Sequence, residues 1–181
     1  MYKKRTLREH LSQIDQNSVA NQKNFDSLTR RMKKYFIEAG YPNCAELPFI
    51  LEEYVQMIFE TQGFRCTHWL QTKDGELNGV WNRPGNKYYC WSTKQVFYEI
   101  DHVMPVNAGG KSRLDNFQFL SPNANQFVKT SLTYEDLLRR VDLSTALKNR
   151  IRSVLQNREK FFKSKKWKDF IHKCEKIEGR A

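Results

Sequence analysis

The sequence predicts an α+β domain, and three observations predict it. Apolar residues recur at helical spacing towards both ends of the chain. Between them, aromatic and β-branched residues cluster in short runs separated by turn-forming stretches. The 181 residues are 39% hydrophobic and 13% aromatic, which suffices for a packed core without disulfides.

The first helix carries Phe25, Leu28, Met32, Tyr35 and Phe36 on one stripe, with Arg30, Arg31, Lys33 and Lys34 interleaved; Gly40 and Pro42 mark its stop. A second runs from about Pro48 through Leu51, Tyr54, Val55 and Ile58 to Gly63, with proline in the first turn and glycine as the cap. Short strands or hairpins follow in Gly79–Trp81, Lys87–Trp91 and Gln95–Ile100, with turns at Lys73-Asp-Gly75 and Asn82-Arg-Pro-Gly85. Strand Gln95–His102, a Gly109-Gly110 turn, strand Phe117–Leu120 and a helix opened by Ser121-Pro122 come next. Thr133-Tyr-Glu-Asp136 has the form of a capping box and leads a stripe of Leu137, Val141, Leu147, Ile151, Val154 and Leu155. Trp167, Phe170, Ile171 and Cys174 then make the docking face of a last helix. The expected organisation is a basic helical arm over residues 1–45, a core over 46–130 and a second basic helical arm over 131–181.

Several classes are excluded at this level. No apolar run approaches the roughly 20 residues of a membrane span, and the basic start is not followed by the apolar core of a secretory signal, so an intracellular, cytoplasmic protein with no membrane partner is expected. Cys44, Cys66, Cys90 and Cys174 form no Cys-x-x-Cys pair, so structural zinc is not expected.

Charge is the first functional clue. The chain carries 31 Lys and Arg against 20 Asp and Glu, a net of +11. Residues 1–40 hold +5, residues 41–128 hold −2 and residues 129–181 hold +8. A near-neutral centre between two basic flanks suits a polyanion held by the flanks while something else happens at the centre. Lys165, Lys166 and Lys168, around the last docking face, are read as phosphate contacts or solvated surface alike.

The stretch with chemistry is Tyr98 to Lys129. It brings Asp101, His102, Asn116 and Asn125 into reach of one another. A carboxylate and an amide oxygen are hard ligands suited to Mg²⁺ or Mn²⁺, and a neutral imidazole beside them can take a proton from water. Asn123 competes with Asn125, and spacing favours Asn125. Neighbours on a regular strand point to opposite faces, so Asp101 and His102 border one site only where the strand ends or twists, as Pro105 signals.

Asp101-His102, Gly109-Gly110, Asn116-Phe117-Gln118 and Asn125 together resemble the HNH motif of the ββα-metal nucleases. Phe59-Glu-Thr-Gln-Gly-Phe-Arg-Cys66 resembles the lead-in of phage and bacterial members, and the likeness covers about residues 48–130. The resemblance implies a ββα-metal nuclease core flanked by basic helical segments. It implies one divalent cation, Mg²⁺ or Mn²⁺, held by Asp101 and Asn125, with His102 as general base and Asn116 holding the loop and orienting the imidazole. Lys111 and Arg113 in the loop are reasonable DNA-phosphate contacts. The family's paired Cys-x-x-Cys knuckles and the repeated DNA-binding modules of intron-encoded enzymes are missing here.

The expected function is metal-dependent hydrolysis of double-stranded DNA, of the phage or free-standing homing kind. A type II-like restriction enzyme, an RNA-directed nuclease and a catalytically silent DNA-binding module are the rivals. One site per chain means that a double-strand break takes a homodimer, or two successive events by a monomer.

Overall fold

A computed structural model describes residues 19–63, 66–72, 75–83, 86–91, 98–121 and 124–181. His10, Asn123, Lys73-Asp74, Pro84-Gly85 and most of the run expected to lead from Gln95 into the strand lie outside the described residues. So do the side chains of Phe25, Trp81, Tyr88, Tyr89, Cys90 and Trp91.

Helix α1 spans Val19–Glu38 and ends where Gly40 takes φ +87°, with Tyr41 N–H bonded back to the Phe36 carbonyl at 2.8 Å. Only glycine adopts that left-handed turn without strain, which is why the helix stops there. A short α2 (Pro42–Ala45) leads into α3 (Pro48–Thr61), whose first residue is the expected proline, and Gly63 beyond it has φ +62°. Strands β1 (Trp69–Thr72), β2 (Gly75–Arg83) and β3 (Asn86–Trp91) form an antiparallel sheet in that order. Strands β4 (Glu99–His102) and β5 (Phe117–Leu120) form a separate antiparallel pair, Glu99 opposite Leu120 and His102 opposite Phe117. The chain is thus α+β, mixing helices with small antiparallel sheets.

After β5 the chain makes a π-helix over Ala124–Lys129, closed by Thr130 N–H to the Asn125 carbonyl at 2.8 Å. Three capped helices follow: α4 (Tyr134–Arg139), α5 (Thr145–Phe162) and α6 (Lys165–Ile177). Thr133, Ser144 and Ser164 each accept an N–H three residues on, as N-caps do. The single stripe expected from Leu137 to Leu155 is broken. Val141 lies between α4 and α5 and is 98% exposed, because the chain stops at Arg139 and restarts on the Ser144 cap.

One apolar cluster joins the ends of the chain to its middle. It contains Leu28, Met32 and Phe36 of α1, Tyr54, Ile58 and Phe59 of α3, Phe117 and Phe119 of β5, and Trp167, Phe170 and Cys174 of α6. A second cluster holds Val128, Tyr134, Leu137, Leu143, Leu147 and Ile151. The outer edge of β5 is covered by side chains. Gln62 takes both backbone groups of Phe119, at 2.8 and 2.9 Å, and buried Arg158 donates to the carbonyls of Asp115 and Phe117. An edge covered this way cannot template pairing with another chain.

Candidate functional site

The loop between β4 and β5 is held from inside by Asn116. Its Oδ1 accepts from Met104 N–H at 2.8 Å, and its Nδ2 donates to the carbonyls of Met104 and Lys111, each at 3.0 Å. Gly110 N–H bonds the Pro105 carbonyl at 2.9 Å. A Cβ on Gly110 would stand 1.9 Å from the Met104 oxygen, so only glycine fits that closure. Asn116 therefore ties the Met104 and Lys111 backbone together across the loop. It makes no hydrogen bond to His102 among those between described residues.

The two neighbours at the end of β4 face opposite ways, as strand alternation requires. Asp101 lies across from Gln118 and accepts its Nε2–H at 2.9 Å, with the buried ammonium of Lys129 at 3.9 Å. Burial pushes the Asp101 carboxyl pKa up, against the pull of Lys129 and Gln118. On the same face, two residues earlier, Glu99 accepts Asn125 Nδ2–H at 2.7 Å and Gln126 Nε2–H at 3.3 Å. Asn125 and Lys129 both reach β4 from the π-helix, whose wider turn brings residues four apart towards the same strand.

His102 lies across from Phe117, against its ring at 4.9 Å and edge-on to Tyr35 of α1 at 6.0 Å. Its Nε2 is 3.3 Å from Ser112 Oγ, and Ser112 in turn donates to Glu38 Oε2 at 3.2 Å. The donor inventory settles the tautomer. A hydroxyl has one proton, here given to a carboxylate that can only accept, so the Ser112 oxygen must accept from His102 Nε2–H. Nδ1 then carries the lone pair. Burial lowers the His102 pKa below its usual value, with Asp101 and Glu38 pulling the other way, so the ring is neutral at pH 7.

The structure thus brings Asp101, Glu99 and Asn125 to one face of β4, leaves His102 on the other, and gives Asn116 to the loop. Among the described residues no three His, Cys, Asp or Glu side chains cluster as a metal-holding group. The donor set of Asp101 and Asn125 with Glu99 is all oxygen, the chemistry a hard divalent cation takes, and Asp101 is a carboxylate whose burial a nearby cation would offset.

The basic residues read as DNA contacts are all exposed. Lys111 and Arg113 line a cleft of about 440 Å³ with Met104, Gly109, Gly110, Asp115 and Asn116. Arg113 is paired bidentately with Asp115, at 3.0 and 2.7 Å. A second cleft, between this loop and α6, is lined by Arg113, Leu114, Trp167 and Ile171, so the lysine-rich helix borders the loop. On α6, Lys166 is paired with Glu60 at 2.7 Å, while Lys165 and Lys168 make no ion pair with a described residue.

Sequence reasoning missed Glu99, Ser112 and Glu38, and counted Gln118 in the motif without giving it a role. Period-two alternation puts Glu99 on the face of Asp101 and was the one signal available for it. Glu38 is 74 positions from Ser112, and no local pattern connects them. His68, which belongs to none of the motif's elements, is fully buried. No protein-family model matches the chain, and neither a curated protein nor a solved structure matches it.

Proposed function

We propose that the protein is a metal-dependent DNA endonuclease built on an HNH, or ββα-metal, core. The observation that carries this reading is the end of β4, where an imidazole with an open Nδ1 lies on one face and an oxygen donor set on the other. In-line displacement at phosphorus sets the attacking water and the leaving oxygen on opposite sides. A base and a cation-holding carboxylate on opposite faces of one strand end suit that requirement.

Asp101 and Asn125 would hold one Mg²⁺ or Mn²⁺, with Glu99 beside them. The bound cation supplies positive charge to the scissile phosphate and to the departing oxygen. His102, neutral and held through Nε2 by Ser112, accepts the proton of the attacking water at Nδ1. Asn116 keeps the loop closed so that Lys111 and Arg113 lie beside this centre and meet the phosphate backbone, with Lys165, Lys166 and Lys168 extending the basic surface. Phage-type or free-standing homing activity is the favoured kind, on the closing Asn125.

Supercoiled plasmid and genomic DNA incubated with the protein and Mg²⁺, Mn²⁺ or EDTA test this. Metal-dependent nicked or linear product, lost in His102→Ala while DNA binding stays, is expected. DNA bound but uncut under every condition would replace the reading with a silent binding module. Discrete cuts at short symmetric sites throughout the genomic DNA would point to a restriction enzyme instead.

A further inference from the structure

Behind Asp101 lies a chain of buried polar side chains that neither the loop nor the proton transfer uses. His68 Nε2 is 3.2 Å from the Tyr134 hydroxyl, and Tyr134 donates to Gln118 Oε1 at 2.7 Å. Thr67 Oγ1 donates to the same oxygen at 3.2 Å, and Gln118 Nε2 donates onward to Asp101 Oδ2 at 2.9 Å. Thr67, His68, Gln118 and Tyr134 are all buried.

The chain has one direction. Gln118 Oε1 can only accept, so Tyr134 gives it its single proton and must accept from His68 Nε2–H. With two donors on Oε1, the amide cannot turn over without facing both with N–H groups and turning its own oxygen on a carboxylate. Its Nε2–H is therefore committed to Asp101. Lys129 adds charge without displacing that bond, because its ammonium donates to the Leu132 carbonyl and lies over the Tyr134 ring at 5.2 Å.

We infer that Tyr134 is a positioning residue for the cation site: through Gln118 it fixes the orientation of the Asp101 carboxylate. The inference rests on the reading of Asp101 as a metal ligand. Residues that orient a ligand from behind typically change metal affinity 10- to 100-fold when altered. The residues come from three separated parts of the chain, the stretch before β1, β5 and α4, so tertiary structure adds to the hold that the neighbouring His102 N–H has on the carboxylate.

The test is Mn²⁺ binding to the full chain by titration calorimetry, for wild type and Tyr134→Phe, beside thermal unfolding of both in EDTA. Expected is Mn²⁺ affinity at least ~10-fold weaker in Tyr134→Phe. Plasmid nicking should be restored as Mn²⁺ is raised. Equal affinities in two folded proteins would overturn the inference while leaving the nuclease reading intact. So would a Tyr134→Phe that unfolds at lower temperature yet binds Mn²⁺ as wild type does. A wild-type protein that binds no Mn²⁺ would remove the cation site itself, and this inference with it. Should Tyr134→Phe not fold, Gln118→Met removes the same link at similar volume, and the same loss of affinity is expected.

Discussion

Replacing Asn116 tests how the loop beside the candidate site is held. Asn116→Ala removes one acceptor bond to Met104 N–H and two donor bonds to the Met104 and Lys111 carbonyls. A net hydrogen bond contributes about 0.5–1.5 kcal/mol, and these three lie near solvent, where water replaces part of the loss, so about 1.5–3 kcal/mol is expected. At roughly 2–4 °C per kcal/mol for a chain this long, the midpoint of thermal unfolding falls by about 6 °C. Asn116→Asp sharpens the test. It keeps the acceptor for Met104 N–H but sets a carboxylate oxygen against two carbonyls, so at pH 7 it should be no more stable than the alanine variant. It should recover below about pH 4, where a protonated carboxyl can donate again. Urea unfolding followed by circular dichroism at pH 7 and pH 4 reads both effects. An alanine variant within about 0.5 kcal/mol of wild type, or an aspartate variant as stable as wild type at pH 7, would refute this account of the loop.

The two adjacent glycines of the loop should behave differently. Gly110→Ala forces a Cβ against the Met104 and Pro105 backbone, the nearest atom at 1.9 Å, and should lower stability by about 3 kcal/mol or more. Gly109→Ala meets nothing within 4 Å and should lower it only by the left-handed strain of φ +88°, about 1–2 kcal/mol; urea midpoints in the reverse order would refute the geometry. The buried His68 predicts acid sensitivity. Burial, with Lys129 and Arg150 nearby, lowers its pKa from 6.5 to about 3, so between those values the unfolded chain holds a proton that the folded one does not. Stability from this group is present above pH 6.5 and is lost as pH falls through the window, at up to about 1.4 kcal/mol per pH unit. His68→Gln should flatten that part of the pH dependence of urea unfolding; a difference between variant and wild type that does not change with pH would contradict it.

Local rules made much of the fold legible. Gly40 and Pro48 bound helices because left-handed φ and a missing N–H have local consequences, and Thr133 caps α4 for the same kind of reason. Phe117–Leu120 stands where alternation and the flanking turn signals put it. The strand-face objection raised by Asp101 and His102 was also readable, since period two holds wherever a strand forms.

What the residue string did not carry is which charges turn inward. Lys129, Arg150 and Arg158 count towards the +8 of the C-terminal segment, yet Lys129 and Arg158 are buried, and Arg150 is tied to the carbonyls of Gln62 and Cys66. Their acceptors are mostly backbone oxygens remote in sequence, and composition cannot register a carbonyl. Val141 looked apolar enough for a core stripe and is exposed, because where one helix stops is decided by the packing of the next.

The sequence by itself determined the helix end at Gly40, the helix start at Pro48, the strand–loop–strand order and the residue types able to do the proposed chemistry, since all of these follow from interactions within a few residues. Only the tertiary structure decided that Asn125 meets Glu99, that Ser112 and Glu38 set the His102 tautomer, and that Tyr134 and His68 lie behind Asp101. Those pairings join residues up to 74 positions apart, and it is packing of one element on another that brings them together.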